Sequence, residues 1–407
     1  MKFLSAKNNR RLFYILLFVV STSLSFASNG ADRRNLLLIA VMGVCPLLLL
    51  FYHQFLRKID IPVIVIVTLT FSMQIFFNYA TFRASTVLFS CMFYVFFLAA
   101  VRVFYNSNMQ YRQLIRAVRW LIIAYALVLI FQQICAVLDL PVFNRLTHVD
   151  NPLKVNSLGT EPSHSVRYVG VLFYTYLVTM DKLAGRRIPL KESFRRDVPV
   201  WLSMLYVMVM SISGTGILVL LLLLTKYVSA KNILYITGFS ALVIGVGLSS
   251  DFEPLQRSSS FVVAAATLDP DKMMDADQSA AIRTAPVVLC ARRLNPLKLS
   301  TWVGEGIDTT KKWMPAMVPG MLENTSFGGL FNLAVEYGLL LVLVFGYFSF
   351  RWCYDPAHRI TTIGLWFLCV FMEGINMQMA WMCILMLYIN KRYFVSKGGK
   401  LVLKQTA

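Results

Sequence analysis

The chain is a succession of apolar segments of about 15 to 22 residues, separated mostly by short polar connections. A helix needs roughly 20 apolar residues to cross the hydrocarbon core of a bilayer, so runs of this length predict membrane spans. Hydrophobic residues make up 57% of the chain and charged residues only 14%, a composition typical of membrane proteins. The runs are continuous instead of alternating in polarity, so they predict helices and not a barrel. The expected fold class is all-α integral membrane, a polytopic bundle of about 12 transmembrane helices.

Two of the predicted spans leave an alternative open. The first follows a basic approach, so a cleaved signal peptide competes with a retained first helix. The pair 199–213 and 215–230 is separated by SISGTG at 211–216, so one broken helix competes with two spans. The predicted spans are 12–28, 35–55, 61–79, 86–105, 119–139, 166–181, 199–213, 215–230, 233–250, 327–350, 360–376 and 377–391.

The basic residues of the short connections indicate the orientation. If the amino terminus is cytoplasmic, the inner connections hold basic clusters such as 112–119 and 182–196, whereas the short outer connections hold only Arg33, Arg34 and Arg83. This is the positive-inside distribution, and it explains most of the net charge of +19. We therefore expect a multi-pass protein with both termini in the cytoplasm and no nucleic acid partner.

Two outer segments, at about 140–166 and 251–326, are long and rich in charge. Solvated loops are one interpretation, since long loops cross the membrane regardless of their charge. An anion site is the other, because arginine binds phosphate in a bidentate manner. The chain thus divides into a membrane bundle (1–250) with a first outer loop at about 140–166, a large outer loop (251–326), and C-terminal membrane helices with a basic cytoplasmic tail (327–407).

A helix start is predicted inside the larger outer loop. Asp277 or Ser279 is a suitable N-cap for a helix that runs into TAPVVLCARR. Pro286 would lie inside this helix or end it early. Arg283 and Arg293 are about 80° apart around an ideal helix axis, so they share a face only if the helix persists.

A set of short elements follows in a fixed order along the chain. LKVNSLGTEPSHSVRYVGVL (153–172) is followed by SISGTGIL (211–218), and then by DQSAAIRTA and WVGEGIDT in the large outer loop. In their order along the chain and in the side of the membrane on which they are predicted to lie, these elements resemble the O-antigen polymerase (Wzy) and ligase family of bacterial cell envelopes. The resemblance implies a GT-C-like bundle in the bacterial inner membrane, with both outer loops periplasmic. It also implies a glycosyltransferase, a polymerase that extends O-antigen, capsular polysaccharide or exopolysaccharide from undecaprenyl-pyrophosphate-linked repeat units.

The resemblance also implies roles for single residues. Arg283 matches the loop arginine that holds the pyrophosphate of the lipid carrier, and Glu161 lies in the Glu-Pro-Ser element. Lys154 stands where many relatives have arginine, which keeps the charge but loses the bidentate fork. The second pyrophosphate clamp is therefore left open between Lys154, Arg145 and Arg167.

The implied reaction is attack of a sugar hydroxyl on an anomeric carbon, which expels pyrophosphate. Preorganised cations stabilise the charge that grows on this leaving group. A general base would assist, and His164 or Glu161 is the candidate, because imidazole and carboxylate groups both accept protons. The implied catalytic residues are Arg283, Glu161 and His164; the implied pyrophosphate ligands are Arg283, Lys154, Arg167, Arg293 and Arg145; Gly304 and Gly306 form an implied backbone turn.

Metal and cofactor chemistry are not expected. The acidic run 269–277 suggests calcium, but Met274 and Ala280 occupy the positions where a calcium-binding EF-hand loop needs glycine and glutamate. The seven cysteines include no CxxC pair, so no zinc site or disulfide framework is indicated. We predict no metal and no cofactor.

A second functional class and a second enzyme remain open. Glu336 and Glu373 lie in predicted spans, where a carboxylate is costly and usually faces a cavity or a partner, so a secondary transporter or a flippase of lipid-linked glycan is the non-enzyme alternative. An O-antigen ligase is the other alternative, because polymerase and ligase use the same lipid carrier. The expected partners are the lipid-linked oligosaccharide, the bilayer, a chain-length regulator and a flippase.

Overall fold

The computed structural model describes residues 4–24, 35–52, 56–144, 153–227, 238, 253–321, 326–395 and 401–403. α-Helix dominates these residues, as the apolar runs predict. β-structure among them is limited to β1 (Tyr393–Val395) and β2 (Leu401–Leu403), which pair antiparallel near the carboxyl terminus. Helices satisfy their backbone hydrogen bonds internally, as the interior of a bilayer requires.

Six helices form the first half of the described chain, and three of them are long and apolar enough to cross a membrane: Lys58–Phe77, Ala84–Asn106 and Tyr111–Val137. The structure is therefore compatible with a helical membrane protein, and these three helices match predicted spans. The helices are α1 (Ala6–Ser21), α2 (Leu36–Phe51), α3 (Arg57–Ser72) with a π-helical extension (Met73–Phe77) and a 3-10 turn (Tyr79–Thr81), α4 (Ala84–Asn106), α5 (Tyr111–Val137) and α6 (Pro162–Ala184).

Residues 199–227, the described part of the predicted pair 199–230, form two helices instead of one broken helix. The short helix α7 (Leu190–Arg196) comes first. A three-residue turn then joins α8 (Val198–Met210) to α9 (Gly214–Leu224), and a 3-10 turn (Thr225–Tyr227) extends α9. A Cβ added at Gly216 would lie 2.3 Å from the carbonyl oxygen of Met208. This contact requires the chain to turn back sharply, since residues eight apart in one straight helix are about 12 Å apart. The predicted span 233–250 lies outside the described residues, apart from residue 238.

The described part of the predicted large outer loop, residues 253–321, is a series of helices. Asp277 is the N-cap of the longest, since its carboxylate accepts a hydrogen bond from the Ala280 backbone N–H at 3.1 Å, which confirms the predicted helix start. This helix continues through Pro286, so the proline does not end it. The helices are α10 (Glu253–Ala266), α11 (Pro270–Ala276), α12 (Gln278–Arg293), α13 (Leu299–Val303) and α14 (Thr309–Met317).

The predicted span 327–350 is interrupted. Gly338 has φ +94° between two helices, and a Cβ at this position would lie 2.2 Å from the carbonyl oxygen of Trp302. Only glycine allows both this backbone conformation and this approach, so a single straight helix is wrong here. The C-terminal helices are α15 (Gly329–Tyr337), α16 (Leu339–Cys353), a 3-10 turn (Pro356–His358), α17 (Arg359–Trp366) with a π-helical extension (Phe367–Phe371), and α18 (Gln378–Arg392).

Helices α6 and α18 lie at the centre of the molecule. Every residue in 162–179 and in 379–390 is buried. α6 packs against α5, α9 and α18, and α18 also packs against α1 and α16. Because α6 is surrounded by protein instead of lipid, its amino-terminal end can hold a charged cluster.

Candidate functional site

The segment before α6 is fixed to α5 by side-chain hydrogen bonds. The Ser157 backbone N–H donates to the Gln132 side-chain oxygen at 2.6 Å, and the Ser157 hydroxyl donates to the Tyr125 carbonyl at 2.6 Å. Gly159 packs so closely that an added Cβ would lie 2.4 Å from the Ser165 hydroxyl. The segment therefore presents Glu161, the residue before α6, from a rigid position.

Glu161 connects the two predicted outer segments. It is the N-cap residue of α6. Pro162 occupies the first turn, where a backbone N–H has no acceptor within the helix, so the missing N–H of proline costs no hydrogen bond. Arg283, in α12, donates to the Glu161 carboxylate at 2.5 Å. The ion pair joins residues 122 positions apart, and Arg283 remains 36% exposed. The glutamate and the arginine singled out from the sequence thus lie together.

A second carboxylate, Glu373, organises the other side of the cluster. It lies in the turn before α18 and forms an ion pair with Arg167. Arg167 also donates to the Ser163 carbonyl at 3.1 Å and to the Leu368 carbonyl at 2.9 Å. These bonds hold the buried guanidinium in one position and tie α6 to the end of the π-helical segment.

His164 is held between two partners. Its Nε2 lies 3.6 Å from a carboxylate oxygen of Glu373, and its Nδ1 is hydrogen-bonded to the Thr160 hydroxyl. A carboxylate beside an imidazole fixes the orientation of the ring. Arg283, Glu161, His164, Arg167 and Glu373 therefore form one continuous group, which we call the charged cluster.

The charges around Glu161 determine its protonation. Burial would raise the pKa of Glu161, but the nearby charges of His164 and Arg283 and the hydrogen bond from Arg283 outweigh it, so this pKa lies below its ordinary value. Glu161 is accordingly a carboxylate at neutral pH. A carboxylate that is this well stabilised is a good partner for a cation and a weak proton acceptor.

A cavity of about 150 Å³ adjoins the charged cluster. His164 and Thr160 line one part of it, and Asn376 and Gln378 line another. The Gln378 amide is itself bonded to Ser23, to Asn35 and to the carbonyls of Val19 and Thr22. Aromatic rings contribute too, among them those of Phe89 and Phe93. The cavity is below the roughly 300–1,000 Å³ usual for drug-sized ligands, so it suits a group such as one sugar ring.

Arg293, Gly304 and Gly306 belong to a different group. Arg293 pairs with Glu305 at 3.0 Å, and its guanidinium lies 5.0 Å from the ring centroid of Trp313. Gly304 and Gly306 flank Glu305 with φ of +89° and +102°, and the loop packs against the backbone of α15. Arg293 is ten residues after Arg283, about 15 Å along a helix, so the two arginines have separate partners.

Two other basic candidates lie in the first outer segment. Lys154 is half-buried in the stretch that leads to Glu161. Arg145 lies outside the described residues. Arg167 is the remaining candidate for the second pyrophosphate clamp. Its ion pair with Glu373 makes it part of the charged cluster.

Some residues of the site were not singled out from the sequence. Thr160 was missed, although it precedes the Glu-Pro-Ser element directly, and so were the amides of Asn376 and Gln378, which lie in the polar stretch GINMQ. Glu373 was expected to face a cavity or a partner as a carboxylate in an apolar region, and its partners are Arg167 and His164. Glu336 instead accepts a hydrogen bond from the Thr310 hydroxyl.

The charged cluster has no counterpart in the comparisons with known proteins. No family model matches the chain, and no curated protein or solved structure is significantly similar to it. Among the described residues, no group of three or more His, Cys, Asp or Glu side chains is arranged to hold a metal ion. The residues and geometry of the site are therefore the basis for assigning a function.

Proposed function

We propose that the protein is a glycosyltransferase that polymerises undecaprenyl-pyrophosphate-linked oligosaccharide repeat units at the periplasmic face of a bacterial inner membrane. The ion pair between Glu161 and Arg283 is the observation that carries this proposal. The ion pair joins two stretches whose sequences resemble elements of the O-antigen polymerases. It lies at the amino-terminal end of the buried helix α6. Both termini would be cytoplasmic, and a flippase and a chain-length regulator would be its partners.

Arg283 is the residue proposed to bind the diphosphate. A guanidinium has five N–H donors in a planar fork, so it can bridge a carboxylate and phosphate oxygens. Its 36% exposure gives a lipid headgroup access to it. As the bond between the anomeric carbon and the diphosphate oxygen breaks, charge grows on the leaving group, and Arg283 stabilises it.

The acceptor sugar is proposed to bind in the cavity beside His164. The amide of Asn376 suits a sugar hydroxyl, and the aromatic rings suit the apolar face of a sugar ring. The Thr160 hydroxyl accepts the proton of the attacking hydroxyl as it passes its own proton to Nδ1 of His164, and Glu373 beside Nε2 stabilises the resulting imidazolium. Glu161, whose pKa is lowered, remains ionised and positions Arg283.

Gel analysis of surface polysaccharide tests the proposal. The gene is deleted from its native bacterium and replaced by wild type, Arg283→Ala or Arg283→Lys. Arg292→Ala is the matched control, because Arg292 lies in the same helix, is exposed and donates to the Leu268 carbonyl at 3.0 Å. We expect no long-chain polymer with Arg283→Ala, partial recovery with Arg283→Lys, and normal polymer with Arg292→Ala, at equal membrane abundance.

The product of the deletion strain separates the alternative functions. A single repeat unit on the lipid core indicates a polymerase, and absence of glycan on the core indicates a ligase. A profile identical to that of wild type would exclude both enzymes. Long-chain polymer of normal abundance in the Arg283→Ala strain would refute the role of Arg283.

A further inference from the structure

A second, larger groove lies near the short helix α7, at the end of α6 opposite the charged cluster. Its volume is about 430 Å³, within the usual range for ligand sites of roughly 300–1,000 Å³. Leu190 and Phe194 of α7 form one side, and α8 and α9 contribute further leucines and Trp201. Leu190 and Phe194 are themselves partly exposed, so the groove opens at the surface of the bundle.

Two cations line this apolar groove. Lys191 and Arg195 both contact it, both are exposed, and they are four residues apart on one face of α7. Like charges at this spacing repel each other and oppose helix formation. The acidic residue of α7, Glu192, is engaged by Arg186 and Arg196, so it does not neutralise this pair. Among the described residues, no carboxylate forms an ion pair with Lys191 or Arg195.

Trp201 lines the groove and is 4% exposed, so its ring reports on what fills the groove.

We propose that this groove binds an acyl chain of an anionic phospholipid from the leaflet at this end of the bundle. The acyl chain lies against Leu190, Phe194 and the leucines of α8 and α9, and the phosphate lies between Lys191 and Arg195. Charge complementarity selects the anionic lipid over a neutral one, because the two cations have no described counter-ion. The site is independent of the proposed catalytic function.

Fluorescence quenching by brominated lipids tests this site. The protein is reconstituted into bilayers that contain equal fractions of either brominated phosphatidylglycerol or brominated phosphatidylcholine. The chain has seven tryptophans, so the difference between wild type and Trp201→Phe reports the contribution of Trp201. We expect this contribution to be quenched at least twofold more strongly by the anionic lipid. Equal quenching by both lipids in wild type would overturn the proposal. This comparison needs no substitution of Lys191 or Arg195, so it does not depend on how such a variant folds.

The role of the two cations is tested by Lys191→Gln combined with Arg195→Gln. The matched control is Arg112→Gln with Arg116→Gln, a second exposed basic pair at the same spacing, on α5 and away from the groove. We expect the preference for the anionic lipid at Trp201 to disappear in the first variant and to persist in the control. A preference that survives in the first variant, or disappears in both, would refute the assignment of the phosphate to Lys191 and Arg195.

Discussion

Replacing Arg167 by methionine should strongly destabilise the protein. The side chains of Arg167 and Glu373 are only 6% and 11% exposed, and Arg167 also donates to two backbone carbonyls. The substitution keeps an apolar stem but leaves a buried carboxylate and two carbonyls without their donor. Removing one partner of a buried ion pair costs about 3–5 kcal/mol, so we expect the free energy of unfolding to fall by that amount.

An exposed ion pair in the same protein provides the control. Arg83 and Asp308 are 2.7 Å apart, but the arginine side chain is 64% exposed. Surface pairs contribute about 0–1 kcal/mol, so Arg83→Met should have a small effect. The two arginines differ in burial and in the two backbone carbonyls that Arg167 contacts, so the comparison measures the buried site as a whole.

The assay is reversible denaturant titration of the purified protein in detergent micelles. Arg167→Met combined with Glu373→Gln should be less destabilised than the sum of the single variants, with a coupling free energy of about 0.5–3 kcal/mol. An Arg167→Met protein no less stable than Arg83→Met would refute the role given to burial. Strictly additive single effects would refute the ion pair itself.

Two further predictions concern the pH dependence of the charged cluster and the backbone near Gly304. The pKa of folded Glu161 lies below the ordinary value of 4.5, so its contribution to stability is present above pH 4.5 and is lost as the pH falls through the lowered pKa. Acid titration should therefore destabilise wild type more than Glu161→Gln below pH 4.5, and parallel curves would contradict this. Gly304→Ala should cost about 1–3 kcal/mol, because φ is +89° and the new Cβ would lie 2.4 Å from the Glu336 carbonyl oxygen. Gly43→Ala, with no atom within 4 Å, should cause no such loss in the same denaturant titration.

Helices were predicted well from the sequence where a long apolar run determines them. The predicted span 86–105 is the helix Ala84–Asn106, because a long apolar run in a membrane protein has no alternative to a helix. The break at Gly338 was not predicted. It depends on contact with the Trp302 carbonyl from a distant helix, which no local pattern encodes.

The residues of the charged cluster were predicted better than their connections. Glu161, His164 and Arg167 stood out as charges at the edge of an apolar segment, where an ionised group needs a partner, and Arg283 stood out through the family resemblance of its loop. The sequence did not give the partners, since Arg283 meets Glu161 across 122 positions and Arg167 meets Glu373 through the packing of α6 near α18. Arg293 illustrates the limit, because it lies in the same helix as Arg283 but pairs with Glu305.

Binding of a short isoprenyl diphosphate to the purified protein tests the proposed diphosphate site most directly. Affinities for farnesyl diphosphate and farnesyl monophosphate are compared in wild type, Arg283→Gln and Arg292→Gln. A hydrogen bond to a charged group contributes about 1.5–3 kcal/mol, so Arg283→Gln should weaken diphosphate binding about tenfold to a hundredfold, while Arg292→Gln binds like wild type. Equal affinity of wild type and Arg283→Gln for the diphosphate would contradict a leaving-group site at Arg283.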